Sequence, residues 1–316
     1  MASPNATFTE MVTTTLREHK RNVANNMVNH NALWRRIYDK GNYEKEEGGY
    51  EIVLPLSYAE NSTFQYYNGY EELDIGQSDV LTAAKFDWKQ AACHITASGQ
   101  EIRMNNGMNA MIKLAKAKKD VAMDTLANNL SVGFYSAGTG SGGKQLGGLQ
   151  SMITSAGAGT VGGISSSTYS WWANQYLNVA VTSGNIRSKM NSLYLSCTRG
   201  TDLPDFGVAD SLTYLTYEAA LQTLERWTDH TSADSGFQSY KYKGMDLFFD
   251  TTASGIPANT MYMLNTKYLK MFVHKDADLS VEDTKESLNQ DAVVIPILFM
   301  GNLCVSNRAR QGILWV

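Results

Sequence analysis

No run in this chain approaches the roughly 18 consecutive apolar residues of a membrane span. The amino terminus, MASPNATFTEM, also lacks the basic start and apolar segment of a secretory signal. A soluble chain made in the cytoplasm, with no membrane partner, is the expectation. Cysteine is scarce: Cys93, Cys197 and Cys304 stand singly, an odd count with no C-x-x-C. This argues against a disulfide framework or a zinc knuckle and points to a reducing compartment. A net charge of -4 leaves no global basic footprint of a dedicated nucleic-acid binder. His19, His30, His94, His230 and His274 form neither H-x-x-H nor H-E-x-x-H. Cys93 and His94 are adjacent, but in a strand they face opposite ways, so no metal site is expected. Charged residues are sparse at 18 %, against roughly 25 % in ordinary soluble domains. Tyrosine, at 17, and tryptophan, at 6, are plentiful. Low charge with many aromatics suits extensive subunit contact.

The strongest local pattern is helical. Met108, Ile112, Ala115, Ala122, Leu126 and Leu130 recur at spacings of four, three, seven, four and four, which predicts a helix over 108–135 with one apolar side, broken by Lys119. Lys113, Asp120, Asp124 and Asn128 lie opposite. Such a helix is roughly 40 Å long, about the width of a domain. An amphipathic helical pattern also runs from Phe8 to Trp34. Between Gly48 and Gly99 the period shortens to two: Ile52, Leu54, Leu56 and Tyr58 form one strand pattern, and Ala84, Phe86 and Trp88 another. The stretch between them, AENSTFQYYNGYEELDIGQSD, is too poor in aliphatic residues to fill a core, so a long projecting hairpin is expected. Further on, Tyr214, Tyr217, Leu221 and Leu224 predict a helix capped by Asp210, and DLFFD, MYML and GILWV read as short strands. In VVIPILFM, Pro296 suggests an edge strand or a bulge. The fold class is α+β.

Two glycine-rich segments interrupt these patterns. Gly138, Gly143 and Lys144 fit a phosphate-binding loop for seven positions, but Gln145 replaces the magnesium-binding hydroxyl, and a helix precedes where a strand should. A flexible connection is the plainer reading. Ser141 and Lys144 match S-x-x-K without the accompanying motifs. No cofactor and no catalytic residue is expected. The second segment, SAGAGTVGGISSS, suggests a boundary near residues 155–167.

The order of these parts, with HITASGQEIRMNNG, GGLQSMI, GTVGGISSSTYSWWANQ, MNSLYLSCTRG, PDFGVADSLTYLTYEAALQ, ANTMYMLNTKYL and GNLCVSNRARQG, resembles the major capsid protein of tailed bacteriophages, with the Hong Kong 97-like fold. The resemblance implies an N-terminal arm over 1–47 and an extended loop over 48–98. It implies a peripheral domain over 99–164 containing the spine helix 108–135, and an axial domain mainly over 165–316 with returning peripheral segments. It further implies self-assembly into pentamers and hexamers of an icosahedral virion shell, built in the host cytoplasm. Its partners would be a portal, a scaffold or decoration protein, and packaged double-stranded DNA held nonspecifically. The short stretch before the first strand leaves no room for a cleaved scaffolding region, and no Lys to Asn cross-linking constellation is matched. An encapsulin-like cargo compartment, or a nucleotide-dependent soluble enzyme using the loop from Gly138 to Lys144, are the alternatives. Candidate inter-subunit residues are Tyr66, Tyr67, Tyr70, Glu71, Glu72 and Asp74 on the projecting loop, and Lys113, Lys116 and Lys119 on the spine. The plain alternative for the charges is two solvated surfaces, because exposed ion pairs contribute only about 0 to 1 kcal/mol.

Overall fold

The computed structural model describes residues 32–104, 108–221, 239–283, 285–286 and 290–315. The amphipathic pattern from Phe8 falls mostly outside them, as does Leu224. Its described end is helix α1 (Ala32–Asp39), which buries Ala32, Leu33 and Ile37 and places Arg36 beside Asp205 and Asp246, at 3.3 and 3.5 Å.

Two mixed sheets share one core. The first is built on β15 (Ala292–Val305), which at about 3.3 Å per residue spans roughly 45 Å. Along one side it pairs antiparallel with β4 (Lys89–Ser98), from Ala292 opposite Ser98 to Gly301 opposite Lys89. Along the other side it meets β14 (Lys285–Glu286), β13 (Ser280–Val281) and β12 (Leu269–His274), and β1 (Tyr43–Glu46) adds parallel to β12. The second sheet runs β7 (Gln175–Asn178), β16 (Gly312–Trp315), β11 (Thr260–Leu264), β8 (Phe206–Asp210), β10 (Met245–Asp250), β9 (Ser239–Tyr242).

Every residue of β8 and β11 is buried, because this second sheet is covered on both faces and its strands read as continuous apolar runs. On one face Ala209, Met261, Met263 and Leu314 pack under α4 (Ile186–Cys197) and α5 (Ser211–Leu221). On the other, Phe206, Val208, Tyr262, Leu264 and Ile313 join the main core with the long helix α3 (Met108–Tyr135). That helix buries Ala122, Leu126, Leu130 and Phe134, and its last residue, Tyr135, donates to Asp250 of β10 at 2.9 Å inside the core. Helix α2 (Gly99–Met104) turns the chain from β4 toward α3.

One expectation changes and others gain detail. The projecting hairpin consists of β2 (Glu51–Ser57) and β3 (Leu81–Asp87), paired from Glu51 opposite Asp87 to Ser57 opposite Leu81. Residues 89–98, expected in the extended loop, form β4 of the main sheet instead, because their backbone finds a full-length partner in β15. Of the edge and the bulge expected at Pro296, the pairing shows the bulge, in the interior of a sheet: Val281 faces Ile297 but Lys285 faces Val294, so one extra residue stands opposite β15 there. The Pro296 carbonyl accepts from Glu282 N–H at 3.0 Å, and a residue's N and O face the same neighbour in an antiparallel pair. Glu282 is directly opposite in the β13 register, so the bond that an N–H at position 296 would return to its carbonyl is absent, and the ladder breaks there between β13 and β14. Asp210 ends β8 and accepts from the Asn259 amide at 3.1 Å and the Ser211 hydroxyl at 3.3 Å.

Candidate assembly surfaces

The hairpin is anchored at its root and bare at its tip. Ile52, Leu56, Ala84 and Phe86 are buried at the root. Residues 58–80 form an irregular tip on which Tyr66 is 92 % and Tyr70 107 % exposed, with Phe64, Tyr67, Leu73 and Ile75 also outward. The tip is shaped by its own polar groups: Asn68 N–H donates to Glu71 Oε2 at 3.0 Å, Gly76 N–H to Asp74 Oδ1 at 2.8 Å, and Gln65 Nε2 to the Glu72 carbonyl at 3.0 Å. Glu71 and Asp74 thus hold local turns as well as carrying charge, a role the sequence reading did not assign.

The spine lysines lie on α3. Lys119 is exposed, while Lys113 and Lys116 sit in the helix with side chains outside what the structure describes. The neighbouring Lys118 is engaged within the chain, at 2.7 Å from Glu101 and 2.9 Å from the Thr96 carbonyl. Among the described residues no ion pair joins the tip acids to the spine.

The second glycine-rich segment supports the projecting hairpin. It folds as a tight hairpin, β5 (Thr160–Val161) and β6 (Ile164–Ser165). Gly162, at φ +60°, comes so close to β3 that a Cβ there would lie 2.9 Å from Ala84 Cβ. Its carbonyl accepts from Lys85 N–H at 2.9 Å, and Trp172 Nε1 donates to the Val161 carbonyl at 2.9 Å. Behind it stands Arg308, fully buried, donating to the carbonyls of Met152, Ala158 and Gly159 at 2.5, 3.2 and 3.4 Å and to Thr154 Oγ1 at 3.0 Å. Sequence reasoning missed it, because arginine is ordinarily a surface residue and nothing in SNRARQG marks this one.

The first glycine-rich loop is tied down, not flexible. Its N–H groups, which a phosphate cradle would need free, are spent inside the chain: Gly138 on Ser136 Oγ, Gly140 on Gln145 Oε1, Gly143 on the Thr139 carbonyl, and Gly147 on Asn302 Oδ1. Gln145, the residue that breaks the nucleotide motif, is one of these internal acceptors. Lys89 Nζ reaches the Gly143 carbonyl at 2.8 Å, whereas Lys144 is exposed. Cys93 and His94 take successive positions on β4, opposite Ile297 and Pro296. Among the described residues no group of three His, Cys, Asp or Glu could hold a metal ion, and no helix is long and apolar enough to cross a membrane.

No family model matches the chain, and no curated protein does. Solved structures do. The capsid asymmetric unit of cyanophage A-1(L) superposes with a TM-score of 0.63 at 12 % identity, covering 94 % of this chain and 95 % of that one. The holo-SrpI encapsulin complex from Synechococcus elongatus PCC 7942 gives 0.61 at 8 %, covering 99 % and 95 %. The capsid of a native GTA particle gives 0.57 at 12 %, covering 94 % and 92 %. The chain has the Hong Kong 97-like capsid fold.

Proposed function

We propose that this chain is a major capsid protein: a structural subunit, not an enzyme, that self-assembles into the icosahedral head of a tailed bacteriophage around double-stranded DNA. The observation that carries the reading is the fold, shared over 94 % of the chain with a cyanophage capsid. The residues support it physically. A tip with Tyr66, Tyr67 and Tyr70 in water gains by meeting a partner, since tyrosine contributes large apolar area at low entropic cost. Many moderate contacts become collectively strong once a symmetric lattice closes. Pentamers and hexamers, a portal, and a scaffold or decoration protein are the partners of this reading. With a net charge of -4, the chain would hold packaged DNA through nonspecific phosphate contact at most. The tip acids Glu71, Glu72 and Asp74 and the spine residues Lys113, Lys116 and Lys119 are proposed to guide register between copies.

The likeness to an encapsulin makes a cargo compartment the second reading, and content separates the two. Negative-stain electron microscopy of the purified chain, with absorbance read at 260 and 280 nm, should show closed shells or discrete pentamers and hexamers. Shells from infected cells should carry nucleic acid; co-purifying protein cargo instead would favour the compartment. A monomer that persists when a scaffold is supplied, or saturable nucleotide binding lost in Lys144→Ala, would overturn the shell reading.

A further inference from the structure

The projecting hairpin has two edges, and they differ. Along an antiparallel strand, residues alternately turn their N–H and C=O toward the partner and away from it. Lys85 N–H bonds outward, to Gly162, so Ala83 and Leu81 on β3 also turn their backbone groups away from β2. The positions opposite these are Val53, Pro55 and Ser57. Pro55 has no N–H to offer, which blunts the β2 edge against an incoming strand. The β3 edge carries no such block. Leu81 is 69 % exposed, and neither Leu81 nor Ala83 has an outward backbone partner among the described residues.

Beside this open edge lies a cleft of about 420 Å³, bounded by Leu81, Ala83, Lys85, Ile164, Tyr169 and Trp171. Trp171 is held in place by stacking on Tyr58, with ring centroids 5.7 Å apart. An exposed strand edge next to an aromatic-walled slot has the two elements of strand addition: main-chain bonds for affinity and a pocket for alternate side chains.

We infer that the β3 edge is a strand-addition site and that its occupant is segment 63–67 from the projecting tip of a second copy. This rests on the shell-forming reading and adds to it the acceptor surface. The segment, TFQYY, is made largely of β-branched and aromatic residues that favour extended backbone. Phe64 and Tyr66, two apart, fall on the same side of an extended strand, and their rings already touch edge to face at 5.2 Å. Charge does not oppose this partner: TFQYY carries none, and of the charged residues bordering the cleft Lys85 already pairs with Glu51 at 3.6 Å and Asp79 offsets it. The Gly162 carbonyl already makes the first outward bond of the row that the added strand continues. Tip and edge are different surfaces, so the contact is head to tail, and the series closes into a ring where the rotation permits.

The test uses the full chain with Cys93→Ser. One population carries Ala83→Cys, and a set of five others carries cysteine at one position each from 63 to 67. Each pair is mixed, assembled, oxidised and run on a non-reducing gel. The expected result is a disulfide-linked dimer at alternate positions, 63, 65 and 67 or 64 and 66, since a paired strand presents every second side chain. Ala83→Pro supplies the second measurement: it removes only an outward N–H, so the monomer's circular dichroism should hold while particle yield falls at least tenfold. Shells without cross-links, cross-links without alternation, capture of Glu10→Cys or Lys20→Cys in place of 63–67, or unchanged assembly of a folded Ala83→Pro chain each overturn strand addition and leave the shell reading standing. A chain that never forms shells overturns both.

Discussion

Arg308 shows what one residue carries. Its guanidinium is sealed from water and bonded to carbonyls and a hydroxyl of residues 152–159. Burial lowers its pKa to about 10, so it remains a cation at neutral pH. Arg308→Met leaves the Met152 carbonyl without its donor, while the Ala158 and Gly159 carbonyls keep those of Thr154 and Ser166, and the expected loss is about 1–3 kcal/mol for that unsatisfied buried group. Urea unfolding measures it, and Arg308→Lys should fall between. A second residue-scale effect is alkaline instability. Burial pushes the Cys197 thiol from 9.0 up to about 12 and the Tyr217 hydroxyl from 10.0 up to about 12, and raises Tyr135, Tyr214 and Tyr262 in the same direction. Unfolded, these groups lose their protons first, so above about pH 9 the unfolded state binds fewer protons and stability falls with each step in pH. The contribution is complete below pH 9 and is lost toward the folded values near 12. The thermal midpoint should therefore drop as pH rises from about 9 toward about 12, with a group of tyrosines ionising only as circular dichroism is lost. Tyrosines that titrate freely in the folded chain would contradict this.

At the scale of elements, legibility depended on whether a pattern was local. Helix α3 could be read end to end because Ala122, Leu126 and Leu130 repeat at helical spacing and face one core. The limits of the hairpin could not. Residues 89–98 alternate as β2 and β3 do, and only the position of β15 decides that they leave the hairpin for the sheet. The glycines of 159–163 look the same in sequence whether they loosen a linker or admit a close approach. The structure decides for the second at Gly162, where both the positive φ and the distance to Ala84 exclude a Cβ. Gly162→Ala should cost about 1–3 kcal/mol and speed amide hydrogen exchange in β2 and β3 ahead of β15. Equal protection of the hairpin in both proteins would show that β5 and β6 do not support it.

For the whole molecule, the proposed shell is the state on which the tip acids are tested. Reversing Glu71, Glu72 and Asp74 to Lys should reduce particle yield several-fold in electron micrographs, with the subunit's thermal midpoint unchanged. Because Glu71 and Asp74 also hold turns of the tip, Glu72→Lys alone separates charge from shape. Normal yield from both would remove the tip acids from assembly. The amino-acid sequence by itself determined the α+β class, the spine helix, the bare aromatic tip and the order of parts that resembles a capsid protein. The first three follow from periodicity and composition over neighbouring residues, and the last is a resemblance carried by the quoted segments and their order. Tertiary structure alone decided the two-sheet core, the interior place of Pro296, the burial of Arg308 and the contrast between a proline-blunted β2 edge and an open β3 edge. Each depends on which distant backbone comes alongside, and that is set by the packing of residues far apart in the chain.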